Sequence, residues 1–488
     1  MSFFFLPPPG CASQKKEIVG FQRSLADKTL TIAQLDAAIA RIFLTRMRLG
    51  EFEPEEDYPH AAVNTSVINS PEHQAVAREV ASASVIMAIN KDNTLPIRSP
   101  LPTKTIAVVG AFANCGECYL HSYNGKPWHI AGYVEGVQAM ANATGSSLKV
   151  SSNACSTYDG CVLEAVSDAA SVASDADLVI AVVGNGLTEQ EGGDRSTLLL
   201  PDCPGGCTNK ADSQSSMLNA VRAAMKRPGQ KLVVVLVSAG PVVLPDLDAY
   251  DAVLYAGYGG QAAGYGVADV MWGAVSPSAR FPLTVYEADY LHKVGPILDY
   301  STTSGVGRTY RYLNTTASPP IFWFGYGLSY SSFTYSNLTV HTTTTTTTTT
   351  SVYNETVGIG SGGRRGGETN PTVVRVTATV TNNAPAGSPS WGKGAAEIPQ
   401  LYVTVPRQPA PLPVPTLALQ GFTKVQLAAA SSVEVGFDLS EGQLCTVKAD
   451  GNCTVFPGIY TVSVGGHQPG DVRGEATSNV VTGTFRLD

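Results

Sequence analysis

Four apolar runs set the strongest limit on what this chain can fold into. "TIAVVGA" (105–111), "DLVIAVVG" (177–184), "KLVVVLVSAG" (231–240) and "DAVLYAGYGG" (251–260) are rich in β-branched residues and show no apolar–polar alternation. A strand exposed on one face alternates. A strand buried on both faces does not, and that requires helices on both sides of the sheet. Helical stretches lie where such a sheet needs them: "VLEAVSDAASVAS" before the second run and "SSMLNAVRAAM" before the third. "EHQAVAREVASASVIMAI" (72–89) reads as a helix running into an apolar stretch. The expectation is an α/β domain with a mainly parallel sheet, whose functional loops follow the carboxyl ends of the strands.

The pattern changes towards the C-terminus. "TVVRVTATVTN", "PQLYVTVP", "SVEVGFDLS" and "GIYTVSVGG", all within residues 372–488, alternate and are separated by Pro/Gly turns, which predicts a β-sandwich. The strand "FTYSNLTV" belongs to the same sandwich. The nine threonines from Thr342 to Thr350 and the "GSGGRRGGE" beyond them then form a flexible insert, at 341–370, with an O-glycosylation-type composition. An aromatic-rich linker, 291–333, joins the two domains. Near the N-terminus "TIAQLDAAIARIFLTRMRLG" is one amphipathic helix, with Thr31 as N-cap and Gly50 as its stop. The expected partition is 1–60, 61–290, 291–333 and 334–488.

Charge excludes some partners. Only 15% of residues are charged, the net charge is -8, and no basic stripe occurs, so neither nucleic acid nor an anionic membrane surface is a fitting partner. The most apolar run, "LVVVLVSAGPVVL", is too short to span a bilayer and is broken by Gly240 and Pro241. Six N-x-[ST] sequons, and eight of nine cysteines in close pairs (Cys115/Cys118, Cys155/Cys161, Cys203/Cys207, Cys445/Cys453), point to an oxidising, secretory compartment. Cys11 is left over. "MSFFFLPPPGC" has no basic lead and does not read as a secretory signal, so the expectation is a secreted protein whose original N-terminus is missing. No cofactor or metal is expected. Neither "VVGAFANCGEC" nor "VVGNGLTEQEGG", the glycine-bearing segments after the first two strands, has G-x-G-x-x-G spacing; H-E-x-x-H and G-x-S-x-G are absent, and "CGEC" is a lone C-x-x-C, read as a disulfide loop or free thiols.

The candidate site is "LTEQEGGDRSTLLLP" (187–201), just after the second apolar run. Glu189, Glu191, Asp194 and Arg195 lie within seven residues beside Gly192 and Gly193. A buried carboxyl with a raised pKa can protonate a leaving oxygen, and glycosidases commonly pair it with a second carboxylate. The competing reading is a solvated loop with an internal ion pair. "SYNGKPW" (122–128) offers Tyr123 and Trp128 for stacking on sugar rings or for ordinary surface packing.

These segments, in order, resemble glycoside hydrolase family 3, and its β-xylosidase-like members in particular. "TEQEGGDRSTLLLP" is similar to the family's E-G-x-D-R-x-x-L-x-L-P loop. "AGYGGQAAGYGVADVMWGAVSPSARFPLTVY", "GRTYRY" and "FWFGYGLSYSSF" resemble the segments that follow it, and "RIFLTRMRLGEFEP" resembles the close of the family's first domain. The resemblance implies an α/β sandwich followed by a fibronectin type III-like domain. It also implies retaining hydrolysis of non-reducing-end β-linked sugars: xylan or xylo-oligosaccharides, or alternatively β-glucosides. Glu191 matches the acid/base, with Glu189 as the alternative. Asp194, Arg195, Tyr123 and Trp128 become loop-fixing or substrate-lining residues. The family's nucleophile is an aspartate of an N-terminal barrel. About thirty residues precede the matching region here, too few for that barrel, so the nucleophile is expected outside this chain and the chain alone is expected to be inactive. A non-catalytic carbohydrate-binding or scaffold protein, and a barrel supplied in trans, are the alternatives.

Overall fold

In a computed structural model, alternate residues of the apolar strands point into two separate cores. Ile106 and Val108 face one core, Ala107 and Val109 the other. Leu178, Ile180 and Val182 split from Val179, Ala181 and Val183 in the same way. Both sets are almost fully buried, which is why the runs do not alternate. The structure describes residues 14–54, 57, 60, 62–97, 105–120, 124–144, 147–150, 166–186, 195–202, 213–342, 374–388, 394–408, 413–448 and 450–488.

The described residues fall into two compact units, Met1–His73 and Gln74–Asp488. In the first, α1 (Gln14–Ala26) precedes α2 (Ile32–Arg48). The sequence predicts only α2. Gly20 and the high polarity of "QKKEIVGFQRSLA" weaken the pattern of α1. Thr31 caps α2 in a reciprocal box: its hydroxyl accepts from Gln34 N at 3.2 Å, and its own N–H donates to Gln34 Oε1 at 2.9 Å. No residue of α2 is buried.

The second unit begins within α3 (Pro71–Ala83), at Gln74, and β1 (Ile86–Asn90) follows. Then come β2 (Thr105–Val109), α4 (Tyr133–Thr144), β3 (Ser147–Val150), α5 (Val166–Ser174) and β4 (Leu178–Gly184). They are followed by α6 (Gln214–Ala224), β5 (Lys231–Val237), β6 (Ala252–Tyr255) and α7 (Ala263–Met271). The sheet order is β1-β6-β5-β4-β2-β3; β2 to β6 run parallel and β1 pairs antiparallel with β6. α4 and α7 contribute Val137 and Val267 to one core, and α5 and α6 contribute Ala173 and Leu218 to the other. From β2 the chain first moves outward to β3, then returns past β2 to β4. The winding direction reverses between β2 and β4, which is where an open α/β sheet places its ligand crevice, at the carboxyl ends of the strands. Gly110 follows β2 at this point with φ +107°; a Cβ on it would lie 2.3 Å from Val182 O of β4. Only glycine fits so close an approach.

The C-terminal strands form the predicted sandwich. One sheet has β7 (Phe333–Thr342), β8 (Val374–Asn382) and β13 (Ser432–Leu439), in the order β13-β8-β7. The other has β10 (Gln400–Thr404), β11 (Ala418–Phe422), β16 (Gly458–Gly465) and β17 (Val480–Leu487), in the order β11-β10-β16-β17. The short pairs β9 (Ala395–Glu397) with β12 (Val425–Leu427), and β14 (Thr446–Val447) with β15 (Cys453–Thr454), complete it. Val376, Val380 and Phe437 share one core with Leu401, Tyr460 and Val462. The α/β region and the sandwich meet at a buried ion pair, Arg280 Nη2 to Glu397 Oε2 at 2.7 Å. Tyr335 Oη donates to the other Glu397 oxygen at 2.9 Å, and Arg280 Nε donates to Gly466 O at 3.0 Å. Disulfides join Cys115–Cys118 and Cys445–Cys453. Cys11, Cys155, Cys161, Cys203 and Cys207, and the threonine run from Thr343 on, lie outside the described residues.

Candidate functional site

The charged segment leaves the sheet at the crevice between β2 and β4. Glu189, Glu191 and Asp194 lie outside the described residues, but both ends of their segment are in view. Its first end is Gly184 and the fully buried Asn185; its second end runs from Arg195 to Pro201. One side chain, the fully buried Gln214 at the start of α6, joins them. Gln214 Oε1 accepts from Gly184 N at 2.9 Å, and Nε2 donates to Gly184 O at 2.8 Å and to Pro201 O at 2.6 Å. Ser213 caps α6 and accepts from Ser216 N at 3.0 Å, which fixes the turn that presents Gln214.

A second set of bonds ties the segment to the turn after β5. Asn185 Nδ2 donates to Ser238 Oγ at 2.6 Å, and Ser238 Oγ donates to Gly240 O at 2.9 Å. Arg195 donates to Asn185 Oδ1 at 3.4 Å and to Pro241 O at 2.6 Å. Leu199 bridges in parallel to Val243, with Leu200 N donating to Val243 O at 3.1 Å. The Arg195 guanidinium is therefore part of the frame that holds the segment. Gln214, Asn185 and Ser238 were not singled out from the sequence. They pair across 30 and 53 positions, and no local spacing marks them.

The other flank of the crevice is the segment after β2. Tyr119 is buried there; its Oη donates to Phe112 O at 2.5 Å and accepts from Cys115 N at 3.1 Å, and burial pushes its phenol well up. Tyr123 lies outside the described residues, whereas Trp128 is 78% exposed. The residues beside Trp128 are firmly held. His129 Nε2 lies 2.9 Å from Glu135 Oε2, and Tyr265 Oη donates to Glu135 Oε1. Arg78 sits over the Tyr265 ring and forms a two-pronged ion pair with Asp269, at 2.6 and 2.7 Å. Burial works against the Glu135 charge, but hydrogen bonds from Tyr265 and His129 leave its carboxyl below the usual range. Ala131 N donates to Gln261 O and Gly264 N to Ala131 O, at 2.8 and 2.9 Å, which ties the arm to the start of α7. Among the described residues no cluster of three or more His, Cys, Asp or Glu side chains is placed to hold a metal.

The C-terminal domain profile of glycosyl hydrolase family 3 matches residues 85–330, just over half the chain. The chain belongs to glycosyl hydrolase family 3. A fibronectin type III-like profile matches residues 397–468, within the sandwich of this family 3 chain. A probable exo-1,4-beta-xylosidase of Aspergillus fumigatus is 27% identical over 463 residues, covering 92% of this chain and 53% of that protein. Beta-D-xylosidase 1 of Arabidopsis thaliana is 30% identical over 313 residues, 63% of this chain and 37% of that protein. The crystal structure of a beta-glucosidase from Chaetomella raphigera superposes with a TM-score of 0.73 at 24% identity, over 96% of this chain and 63% of that one. The chain spans about half the length of the curated relatives it matches. No helix of the described residues is long and apolar enough to cross a membrane.

Proposed function

We propose that this chain carries the acid/base half of a retaining exo-β-glycosidase site, acting on non-reducing-end β-xylosyl residues of xylan or xylo-oligosaccharides. The supporting observation is the clamp: Gln214, Asn185 and Ser238 root the segment bearing Glu191 at the crevice between β2 and β4. Glu191 is the acid/base, with Glu189 as alternate. Asp194 and Arg195 hold the loop or line the substrate, and Tyr123 and Trp128 stack on sugar. The nucleophilic aspartate belongs to a barrel domain outside these 488 residues. Relatives named as beta-xylosidases favour xylose, and those named as beta-glucosidases make β-glucosides the alternate substrate. The paired cysteines and sequons support an extracellular place of action.

Hydrolysis of 4-nitrophenyl β-D-xyloside by protein carrying both these residues and the barrel tests the assignment. Loss of a general acid typically lowers turnover about 10²–10⁴-fold, roughly 3–5 kcal/mol of barrier. Glu191→Gln should show that loss and Glu189→Gln should not. Azide, which attacks without a general base, should restore turnover in Glu191→Ala. If Glu189→Gln carries the loss, the acid is reassigned; if neither variant does, the mechanism is wrong. The 488-residue chain alone should release no nitrophenol above the blank.

A second reading, sugar binding without hydrolysis, is favoured by the exposure of Trp128 on its held arm. Calorimetry with xylobiose decides it: a saturable heat lost in Trp128→Ala supports it, and no heat at millimolar ligand sinks it.

A further inference from the structure

A second recess lies away from the crevice, where the α/β region meets the sandwich. Its volume is about 430 Å³, within the roughly 300–1,000 Å³ of small-molecule sites. Phe281, Pro282, Phe324, Ile398, Leu419 and Phe422 make its walls. These walls are braced. Phe324 stacks on Tyr310 at 4.1 Å and Phe281 on Phe322 at 5.2 Å, and the Arg280–Glu397 pair locks the two regions together behind them. A cleft held in this way loses little conformational freedom when a ligand enters.

The polar groups of the recess say what does not fit. Gln400 Nε2 donates to Gly325 O at 2.9 Å and to Gly466 O at 2.7 Å, while its Oε1 accepts from Tyr402 Oη at 2.6 Å. Arg280 is committed to Glu397 and to the carbonyls of Gly466, Ser278 and Ala279. A sugar would bury hydroxyls with no partner, which is costly. One lining group differs. Lys424 is exposed, and no ion pair or hydrogen bond to it is found among the described residues.

We propose that this cleft binds a small amphiphilic carboxylate: an apolar body against the phenylalanine-lined walls, with its anionic end at the Lys424 ammonium. Apolar burial supplies the affinity and the lysine selects the charge. The site is independent of the glycosidic crevice, so its test leaves that assignment untouched.

Isothermal titration of the full chain with 2-naphthoate, and with neutral 2-naphthalenemethanol, tests it. Both should bind at one site. An exposed ion pair is worth up to a few-fold in affinity, so Lys424→Gln should weaken naphthoate about threefold to fivefold and leave the alcohol unchanged. Phe422→Asp places a carboxylate at a half-exposed mouth position without disturbing a core, and should abolish naphthoate binding. Leu419→Trp should fill the cleft and exclude both probes. Ile297, Leu298 and Tyr300 are 82 to 91% exposed elsewhere on the surface. Binding lost in Leu298→Ser/Tyr300→Ser but kept in Phe422→Asp overturns the proposal. So does the absence of saturable heat for either probe, or a Lys424→Gln variant that weakens both probes equally.

Discussion

Gln214 is the single side chain on which the placement of the charged segment most depends, and Gln214→Met removes its bonds while keeping its length. The residue is fully buried, so methionine fills nearly the same space. Three hydrogen bonds disappear: one accepted from Gly184 N, one donated to Gly184 O and one to Pro201 O. A net contribution of about 0.5–1.5 kcal/mol each gives roughly 1.5–4.5 kcal/mol. The expected result in urea is a lower midpoint corresponding to that cost. The more telling readout is local. Hydrogen exchange followed by mass spectrometry should show faster exchange in peptides spanning residues 184–201, with the strand Lys231–Val237 unchanged relative to global stability. If the segment holds the catalytic acid, misplacement of about 1 Å costs turnover on the order of 10²-fold, seen in kcat. A cost below about 1 kcal/mol with unchanged exchange would refute the clamp.

Three further outcomes follow from the geometry. Glu397→Ala strands the Arg280 guanidinium, whose side chain is only 7% exposed, and should cost about 3–5 kcal/mol in urea; Arg280→Met/Glu397→Met together should cost far less. Gly264→Ala drives a Cβ to within 1.9 Å of Gly132 O, a backbone atom that cannot move aside, and should destabilise by about 3 kcal/mol or more, read as a lowered urea midpoint. Burial raises the Asp471 carboxyl, partly offset by His467 and Arg473, and its Oδ2 has no hydrogen-bond partner among the described residues. An acid whose folded pKa lies above its unfolded one favours the folded state at low pH and loses that contribution as pH rises through the folded value. Asp471→Asn should therefore raise the neutral-pH melting temperature, and the gap to wild type should close as pH falls towards the ordinary carboxylate range; a constant gap contradicts the assignment.

The sequence was most legible where burial is symmetric. Val179 to Val183 and Leu232 to Leu236 read as central strands because both faces of each strand need apolar cover. The edge elements were harder to read. Ile86–Asn90 reads in the sequence as an apolar stretch after a helix, and its antiparallel pairing with β6 makes it an edge strand. Ser147–Val150 has four residues and too short an apolar signal. The charged segment stood out through its carboxylates and glycines. The residues that hold it did not: a glutamine in the first turn of a helix and an asparagine after a strand are ordinary until folding brings their partners within 3 Å. Propensity reports the chain against itself, whereas these contacts report it against distant segments.

A segment whose two roots are fastened by one buried amide behaves as a cassette. Its interior can be exchanged while the sheet beneath keeps its register, because Gly184 and Pro201 are bonded to Gln214 rather than to each other. Lengthening the interior is cheap as well, about 0.6 kcal/mol for each doubling. Exchanges between residues 187 and 194 that leave Asn185, Arg195 and Gln214 as the socket should therefore leave the urea midpoint nearly unchanged.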